Sequence, residues 1–596
     1  MTPSSRIWRY PGVQFTGALA GLIAALLTFD PMILNPRSVD WLVRDDLTQQ
    51  YLGWIAFRST PWQIPLGTIH GYADPPGTTL GFVDAFPWFS VLMRALLESV
   101  PSLEKWFGST GQITSLWLVL SLMLQGFFAA SIFSRLTPRN LPLIASGTIS
   151  LIFAPVWWHR MNHGHPSLCG QWLILAALTL SLSSGEPDGP SRLRFRKIFF
   201  RLAKWCALQF VAAGIHPYLA AMTCAIGIAA VLERKMWLRS VVGAVAQVLT
   251  VFFVFWLFGY FSLNPTGANE GGGGFHYFGA DLLSLINPMK MGGLLPNFFQ
   301  GWTKAGQYEG YGWIGLGTIF LALFWFSGRH NRRNRRMEWV WFNQIRIVVL
   351  LLALFSLGSN IRIGGFWLID LETPYQLIKP VVTSFRAAGR FIWPLYYLLA
   401  VQLFVHAGRV MQKRRIGVVP RIFFFSAVAA FNILDNPFLK FQSDLDGTDR
   451  HQIQVQTQNQ MDRLSALTAM PAGVVNLAGI SRMNLVPPYL ASFSCGNLPA
   501  GNFDGKAFEE WRITGMWAAK NGLTANSGAF ARYDTAVLNR TCEVQRNAVL
   551  AGNLDPQAVY VLSNATPDPV AFAAIESRAT CAAGPGGIKF CRVDAD

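Results

Sequence analysis

The sequence has few charged residues for its length. Charged side chains make up 14% of the 596 residues, whereas soluble globular domains carry about 25%. Hydrophobic residues reach 52%, and the mean hydropathy is +0.32. These values exclude an ordinary soluble protein. Length alone suggests several domains, but apolar runs recur from Val13 to Asn436, and residues 1–440 are predicted to form one helical membrane domain.

Acidic residues are scarcer than basic ones. There are 32 Asp and Glu residues against 49 Lys and Arg residues, which gives a net charge of +17. Such an excess can indicate nucleic-acid binding, but here the basic residues collect in short loops between apolar runs, at 192–197, 233–235, 329–336 and 413–415. Basic loops are typical of the cytoplasmic side of a membrane protein. The expected partner is therefore a membrane, and no nucleic acid is predicted.

Cysteine is rare, and no Cys-x-x-Cys pattern indicates a metal site. Of the seven cysteines, three fall in apolar runs and are interpreted as packing residues. The other four lie in the C-terminal segment: Cys495, Cys542, Cys581 and Cys591. An even number in an oxidising compartment predicts two disulfides, for which three pairings exist. The pairing of Cys581 with Cys591 is favoured because the two are close in sequence.

About eleven membrane-spanning helices are predicted, because a span needs about 20 mainly apolar residues. The runs are residues 13–34, 112–134, 141–158, 167–183, 202–216, 218–232, 240–262, 312–328, 345–358, 391–408 and 421–436. Arg6 and Arg9 precede the first run, which predicts a cytoplasmic N-terminus. A cleaved signal peptide is the alternative, but no small-x-small cleavage site follows the run.

The stretch 202–232 sets the expected orientation. Basic loops flank both of its ends, and both should be cytoplasmic, so the stretch is predicted to be a hairpin with its tip at residues 214–217. Pro217 ends one helix and begins the next, which places His216 near the outer face. Eleven spans then put residues 441–596, a small α+β domain, in the periplasm of a bacterial inner-membrane protein. The first outer loop, about residues 35–111, is expected to contain a helix at 45–58.

Ionisable residues concentrate in the predicted outer loops. They are Asp45, Asp46, His70 and Asp84 in the first loop, His159, Arg160, His163 and His165 in the next, and His216, Glu309, Arg386 and Arg390 further on. A transporter would favour charges in the middle of helices and paired halves of the chain, and the sequence has no internal repeat. Polar residues gathered on one side of the membrane favour chemistry at the interface.

The arrangement resembles the GT-C superfamily of integral-membrane glycosyltransferases. Residues 46–67, 309–317 and 384–391 are similar to those of an uncharacterised bacterial multi-pass family usually placed in that group, and the resemblance covers roughly residues 13–440. The resemblance implies a GT-C-like fold and transfer of a sugar from a polyprenyl-phosphate donor. The acceptor would be a glycan, a lipid or an exported protein.

The resemblance also implies roles for particular residues. Asp46 occupies the position of the general base, with Asp45 as the second candidate, and the reaction would invert the anomeric centre. The departing phosphate needs positive charge; its expected ligands are Arg386, Arg390, His163 and His165, and a divalent metal (Mg²⁺ or Mn²⁺) is left open. The acceptor is expected to contact Glu309, His216, Asp84 and His70.

Structural roles are the alternatives for these residues. Either aspartate at 45–46 can cap the helix that follows. The histidines can bond to backbone at the interface, or His159, His163 and His165 can hold a structural metal. Both arginines can anchor lipid headgroups, Glu309 can bond within its loop, and Asp74 and Asp84 can be turn residues. At the level of the whole protein, the alternatives are a flippase for lipid-linked sugars and a non-catalytic partner in envelope polysaccharide assembly.

Overall fold

The computed structural model describes residues 12–182, 191–232, 236–262, 274–289, 294–295, 306–327, 341, 343–378, 384–436, 476–491, 493–495 and 505–593. Most of this part of the chain is helical, and a sheet lies in the C-terminal region. The predicted basic loops at 233–235 and 329–336 lie outside the described residues. The same holds for residues 441–475 of the predicted C-terminal domain.

The secondary structure follows the apolar runs of the sequence. The helices are α1 (Val13–Thr28), α2 (Pro31–Leu34), α3 (Asp45–Ser59), α4 (Pro87–Ser99), α5 (Pro101–Phe107), α6 (Thr114–Leu136), α7 (Leu141–Ile152), α8 (Pro155–Asn162), α9 (Trp172–Ser181), α10 (Ser191–Ala213), α11 (Pro217–Val231), α12 (Trp237–Leu257), α13 (Leu316–Ser327), α14 (Asn343–Ser356), α15 (Glu372–Tyr375), α16 (Trp393–Lys413), α17 (Val418–Leu434), α18 (Gly505–Lys520), α19 (Thr535–Leu550) and α20 (Pro569–Glu576). The strands are β1 (Thr68–Ile69), β2 (Thr78–Thr79), β3 (Asn360–Ile363), β4 (Phe366–Asp370), β5 (Arg482–Val486), β6 (Tyr489–Leu490), β7 (Phe493–Ser494), β8 (Thr524–Ala525), β9 (Ala558–Leu562), β10 (Ala579–Ala583) and β11 (Lys589–Val593).

A helix is present at each of the eleven predicted positions, but the helices differ in length. Four segments of the described chain are long and apolar enough to cross a membrane: Thr114–Leu136, Leu141–Asn162, Trp237–Leu257 and Ala388–Lys413. Other apolar helices, such as Val13–Thr28 and Val418–Leu434, are shorter. The structure therefore has the character of a membrane protein.

Two details of the first spans bear on the predicted boundaries. Helix α1 ends at Thr28 rather than at residue 34, because Pro31 cannot continue a helix and instead begins α2. The predicted hairpin within 202–232 is confirmed locally: α10 ends at Ala213, and α11 begins at Pro217 with His216 as its N-cap. The two helices pack against each other, as a hairpin requires.

Contacts between residues divide the chain into two compact units. The first unit comprises residues 1–30, 116–253 and 273–442, and the second comprises residues 31–115, 254–272 and 443–596. The second unit thus combines the predicted first outer loop with the C-terminal segment. This division differs from the expected boundary near residue 440 because the loop makes contacts far along the chain.

The first unit is a bundle of apolar helices. Helices α7 and α17 make its most extensive contact, and α13 packs on both α16 and α17. Helices α1 and α6 approach closely through glycine: a methyl group at Gly126 would lie 2.0 Å from the carbonyl oxygen of Gly17. Small residues at such crossings permit the close packing on which membrane helices depend.

The second unit contains a five-stranded sheet in the order β10-β11-β9-β5-β8. Strand β5 runs parallel to its neighbours β8 and β9, whereas β9, β11 and β10 are antiparallel. Helix α18 packs on β5 and β8, and its Trp517 contacts Phe590 of β11. On the opposite face, α19 and α20 cover a core that includes Val549, Tyr560 and Ile575. The predicted α+β character is therefore present in this region.

Residues 31–115 are joined to the C-terminal segment within the second unit. The Tyr72 hydroxyl donates to the Ala529 carbonyl at 2.8 Å and accepts from the Ala529 amide at 3.0 Å. Lys520 of α18 pairs with Asp40 at 2.8 Å, and α18 packs on α3. The predicted helix at 45–58 is confirmed as α3.

Both predicted disulfides are present in the second unit. Cys581 pairs with Cys591, as the sequence spacing favours, and Cys495 therefore pairs with Cys542. The bridge between Cys581 and Cys591 joins paired positions of the neighbouring strands β10 and β11. The bridge between Cys495 and Cys542 links the segment after β7 to helix α19. Disulfides persist in oxidising compartments, and the export of this segment stays a prediction.

Candidate functional site

One buried carboxylate of the first unit lies between two guanidinium groups. Glu309 Oε2 accepts from Arg160 Nη1 at 2.6 Å and from Arg390 Nε at 2.8 Å, while its Oε1 accepts from Arg390 Nη2 at 2.9 Å. The Arg160 side chain is fully buried, and the Glu309 side chain is 5% exposed. We call Arg160, Glu309 and Arg390 the Arg–Glu–Arg cluster.

Aromatic rings and backbone carbonyls hold the two arginines in place. Arg160 Nη2 donates to the carbonyl oxygens of Tyr308 and Glu309, at 3.2 and 2.8 Å. Its guanidinium lies over the Trp393 ring, and that of Arg390 lies over the Tyr218 ring at 4.7 Å from the centroid. Cations are attracted to aromatic faces, so each guanidinium has contacts beyond its ion pair.

Close backbone contact brings Glu309 and Arg390 together. Glu309 belongs to a short 3₁₀ turn, Gln307–Gly310, and Arg390 to another, Ala388–Ile392. A methyl group at Gly389 would lie 2.6 Å from the Gly310 backbone, and one at Gly310 would lie 2.4 Å from Ala280. Glycine is therefore required at both positions, since any side chain would push the two turns apart.

The cluster carries a net positive charge. Burial raises the pKa of Glu309, but Arg160 and Arg390 lower it further than burial raises it, so the pKa lies well below its usual range. The carboxylate is thus ionised at neutral pH. Within these three residues one negative charge meets two positive ones, and a local net charge of +1 favours the approach of an anion.

Two neighbouring histidines, His163 and His216, do not add to that charge. Burial, with Arg160 next, lowers the pKa of His163 to about 4. Burial and Arg390 also hold the pKa of His216 well below its usual range. His216 Nδ1 accepts from the Tyr218 amide at 3.2 Å. In a neutral imidazole the other nitrogen then carries the proton, so His216 Nε2 is a hydrogen-bond donor.

Two further predicted phosphate ligands are more accessible than Arg160 and Glu309. Arg386 is half-buried, and its guanidinium lies 5.9 Å from the centre of the Phe278 ring. His165 is also half-buried, and its backbone amide donates to the Arg160 carbonyl at 3.0 Å. His165 interacts electrostatically with both Glu309 and His216. The structure thus gathers these residues around the Arg–Glu–Arg cluster.

The remaining predicted residues belong to the second unit. Asp45 begins α3 and Asp46 follows it, while Arg44 is the N-cap and makes no side-chain cap hydrogen bond. Neither aspartate is therefore the N-cap residue. Asp46 is half-buried and interacts electrostatically with buried Tyr72.

Asp84 and His70 have local roles in the described structure. Asp84 adopts a φ of +56°, a left-handed conformation that Asp tolerates in turns, which agrees with its interpretation as a turn residue. Burial and then Asp84 raise the pKa of Tyr260. His70 is exposed, and its Nε2 lies 2.8 Å from Gln63 Nε2.

Sequence reasoning did not assign Arg160 to the site. The residue follows two tryptophans at the end of an apolar run and was grouped with a loop, but it lies in α8 and is fully buried. A charged residue within or next to an apolar span is by itself a signal for function. That signal could have identified Arg160 as the second partner of Glu309.

A metal centre has no support among the described residues. The ranges that the structure describes contain no group of three or more His, Cys, Asp and Glu side chains placed to hold an ion. His159 instead stacks on Tyr311 with ring centres 4.5 Å apart, and His163 Nδ1 lies 3.0 Å from the His159 carbonyl oxygen. These contacts agree with the alternative of histidines that bond to neighbouring backbone and rings.

Comparison with known proteins places the chain in a family. Neither a curated protein nor a solved structure matches it. A family model described as "Domain of unknown function (DUF6311)" matches residues 18–430, and one described as "DUF6311 C-terminal domain" matches residues 475–593. The first match contains the Arg–Glu–Arg cluster, and the second contains all four disulfide cysteines. The chain therefore belongs to the DUF6311 family.

Proposed function

We propose that the protein is a membrane glycosyltransferase. It moves a sugar from a polyprenyl-phosphate donor to an acceptor on the outer face of a bacterial inner membrane, the acceptor being a glycan, a lipid or an exported protein. In this proposal eleven helices span the membrane, the N-terminus is cytoplasmic, and residues 441–596 are periplasmic. The fold is that of a GT-C enzyme.

The observation that carries the proposal is the net charge of the Arg–Glu–Arg cluster. A buried group of two guanidiniums and one carboxylate is stabilised by an anion, and a lipid phosphate at the membrane interface is such an anion. The cluster lies between α8, which ends the long apolar segment Leu141–Asn162, and the start of the segment Ala388–Lys413. Apolar helices next to a cationic group suit a ligand with a lipid tail and a phosphate head.

The two predicted phosphate arginines differ in their freedom to contact a ligand. Nε and Nη2 of Arg390 both donate to Glu309, so we assign Arg390 to the positioning of the cluster and to its positive field. Arg386 is half-buried and is assigned the direct contact with phosphate oxygens, for which a guanidinium is well shaped. His165 is the second proposed contact, and the neutral His216 offers an N–H donor.

The chemical step is a displacement at the anomeric carbon with inversion. The acceptor oxygen forms a bond to that carbon while the bond to the phosphate oxygen breaks, and polyprenyl phosphate leaves with the electron pair. The acceptor proton passes to a carboxylate, and the sequence resemblance alone assigns that role to Asp46, with Asp45 as the second candidate. A positioned base contributes roughly 10²–10⁴ in rate. The cationic residues of the first unit stabilise the leaving phosphate.

The proposal is tested with purified protein in liposomes and a panel of polyprenyl-phosphate hexoses and pentoses. Release of polyprenyl phosphate is followed for the wild type, Asp46→Asn and Arg386→Gln. Asp534→Asn is the matched control, because Asp534 caps α19 and Asn caps a helix equally well. We expect both test variants to lose at least about 100-fold in rate and the control to keep it.

Each other outcome has a definite meaning. Release that persists in Asp46→Asn removes Asp46 as the base. Movement of intact donor across the bilayer without release would support the flippase alternative. Neither release nor movement with any donor, in a protein whose thermal unfolding is normal, would favour the non-catalytic role in polysaccharide assembly. Assays with EDTA and with added Mg²⁺ or Mn²⁺ decide the dependence on metal.

A further inference from the structure

A separate cavity lies in the second unit, on the sheet face that α19 and α20 cover. Its volume is about 580 Å³, within the range of roughly 300–1,000 Å³ that small-molecule sites occupy. Its floor is formed by β5 and by Tyr560 of β9, and one wall by α19. Pro569 at the start of α20 and Asp74 of the N-terminal segment also line the cavity.

The floor of the cavity is unusually polar for the inward face of a sheet. Side chains alternate along a strand, so Arg482, Asn484 and Val486 of β5 share one face. Asn484 pairs in register with Tyr560, and Val486 with Leu562. Tyr560, Leu562 and Val486 belong to the hydrophobic core beneath α19 and α20. Asn484 is half-buried on the same face, which indicates that the two helices leave this part of β5 uncovered.

A chain of amide hydrogen bonds makes one side of the cavity rigid. The Asn526 amide donates to Gln545 Oε1 at 2.9 Å, and Gln545 Nε2 donates to the Asp74 carbonyl at 3.0 Å. The disulfide between Cys495 and Cys542 lies in the lining next to them. A site fixed in advance loses less conformational entropy when a ligand binds.

The charges in the lining are nearly balanced. Arg482 pairs with Asp555 at 3.4 Å, and Arg546 pairs with Asp568 at 2.7 Å. Asp74 then leaves one more carboxylate than guanidinium groups in the lining. An excess of negative charge disfavours an anionic ligand. The cavity therefore does not share the chemistry of the Arg–Glu–Arg cluster, which favours anions.

We infer that this cavity binds a short segment of uncharged saccharide. Amide and carboxylate side chains, here Asn484, Asn553 and Asp74, exchange hydrogen bonds with hydroxyl groups. The lining also contains several prolines, whose apolar surfaces suit the C–H faces of sugar rings. This inference does not depend on the glycosyltransferase proposal, because binding is measured without turnover.

Binding is tested with the full chain in phosphatidylcholine nanodiscs, since detergents with sugar headgroups would occupy the site. Saturation-transfer NMR is recorded with maltotriose, cellotriose, chitotriose and mannotriose as neutral probes. Tri-galacturonate and a proline-rich hexapeptide represent an anionic saccharide and a peptide. We expect at least one neutral trisaccharide to bind and the acidic one to bind at least about tenfold more weakly.

Variants locate the binding in the cavity. Asn484→Leu removes the amide at nearly constant volume, and Ala548→Phe fills the space from α19. The control Asn547→Leu makes the same change at an exposed position of α19 outside the lining. We expect at least about tenfold weaker binding in both cavity variants. The control should bind as tightly as the wild type. Because Ala548→Phe leaves Asn484 in place, a folding defect in one variant does not remove the test.

Three outcomes would overturn the inference. The first is the absence of binding for every neutral trisaccharide to folded wild-type protein. The second is binding that both cavity variants retain. The third is a preference for tri-galacturonate or for the peptide, which would assign the cavity another ligand class. None of these outcomes bears on the release of polyprenyl phosphate, so the two proposals fail separately.

Discussion

Replacement of Glu309 by glutamine tests how strongly the Arg–Glu–Arg cluster holds the first unit together. Glu309 accepts three hydrogen bonds from guanidinium groups, and both of its oxygens are used. A glutamine in either orientation turns an NH₂ group toward a guanidinium donor. The variant also leaves two cations without their carboxylate. Removal of one partner from a buried ion pair costs about 3–5 kcal/mol, so Glu309→Gln is expected to lower stability by about that amount.

The assay is thermal unfolding of purified protein in detergent, followed by tryptophan fluorescence at pH 7.5. A loss of this size lowers the midpoint by at least about 5 °C. Glu372→Gln is the matched control, because Glu372 is an exposed residue of the same unit, and it should shift the midpoint by less than about 1 °C. The double variant Glu309→Gln/Arg390→Gln should recover at least about 1 kcal/mol relative to additivity. Equal midpoints for Glu309→Gln and Glu372→Gln would refute this account of the cluster.

Three further predictions follow from the described contacts. Because the folded chain lowers the pKa of His163 to about 4, the unfolded chain alone binds a proton as the pH falls below about 6.5. This protonation lowers the free energy of unfolding by up to about 2 kcal/mol at pH 5. When unfolding is measured at pH 7.5 and at pH 5, His163→Gln should lose less stability between the two than the wild type. Gly389→Ala should separate the turns Gln307–Gly310 and Ala388–Ile392 and lower the midpoint of thermal unfolding by several degrees. Backbone amides of the turn that contains Glu309 should then exchange hydrogen faster, and an unchanged exchange rate would contradict the close contact. Cys495→Ser opens a loop of 47 residues and Cys581→Ser one of 10. Cys495→Ser should therefore cost about 1 kcal/mol more in unfolding of the second unit, and a reversed order would contradict the loop-entropy account.

The helices were predictable from the sequence because apolar runs are a local signal. The hairpin at His216 followed from charge and one proline, and the disulfide at Cys581 followed from spacing. The predicted end of α1 lay too far along the chain, at residue 34, because Pro31 was not considered as a helix breaker. Membership of residues 31–115 in the second unit was not predictable, because it depends on contacts such as that of Tyr72 with Ala529, 457 residues away.

The candidate site was predicted in part. Glu309, Arg390 and the histidines were identified as single residues, but their arrangement was not. The sequence does not show that Gly310 and Gly389 meet, and this contact makes Glu309 a partner of Arg390 rather than a residue for the acceptor alone. Arg160 was passed over because it follows the predicted apolar run 141–158 and was therefore assigned to the next loop. Sequence patterns identify which residue types are present, whereas the pairing of charges depends on tertiary contacts.

The second unit combines an early and a late part of the chain, and this has a consequence for biosynthesis. Asp40 and Tyr72 pair with residues that are made 480 and 457 positions later. At about 5–20 residues per second, the ribosome needs roughly 20–100 s to reach them. Throughout that interval the early segment has aromatic side chains without their final neighbours. Pulse-labelled chains should therefore remain sensitive to protease in this segment until α18 has been synthesised.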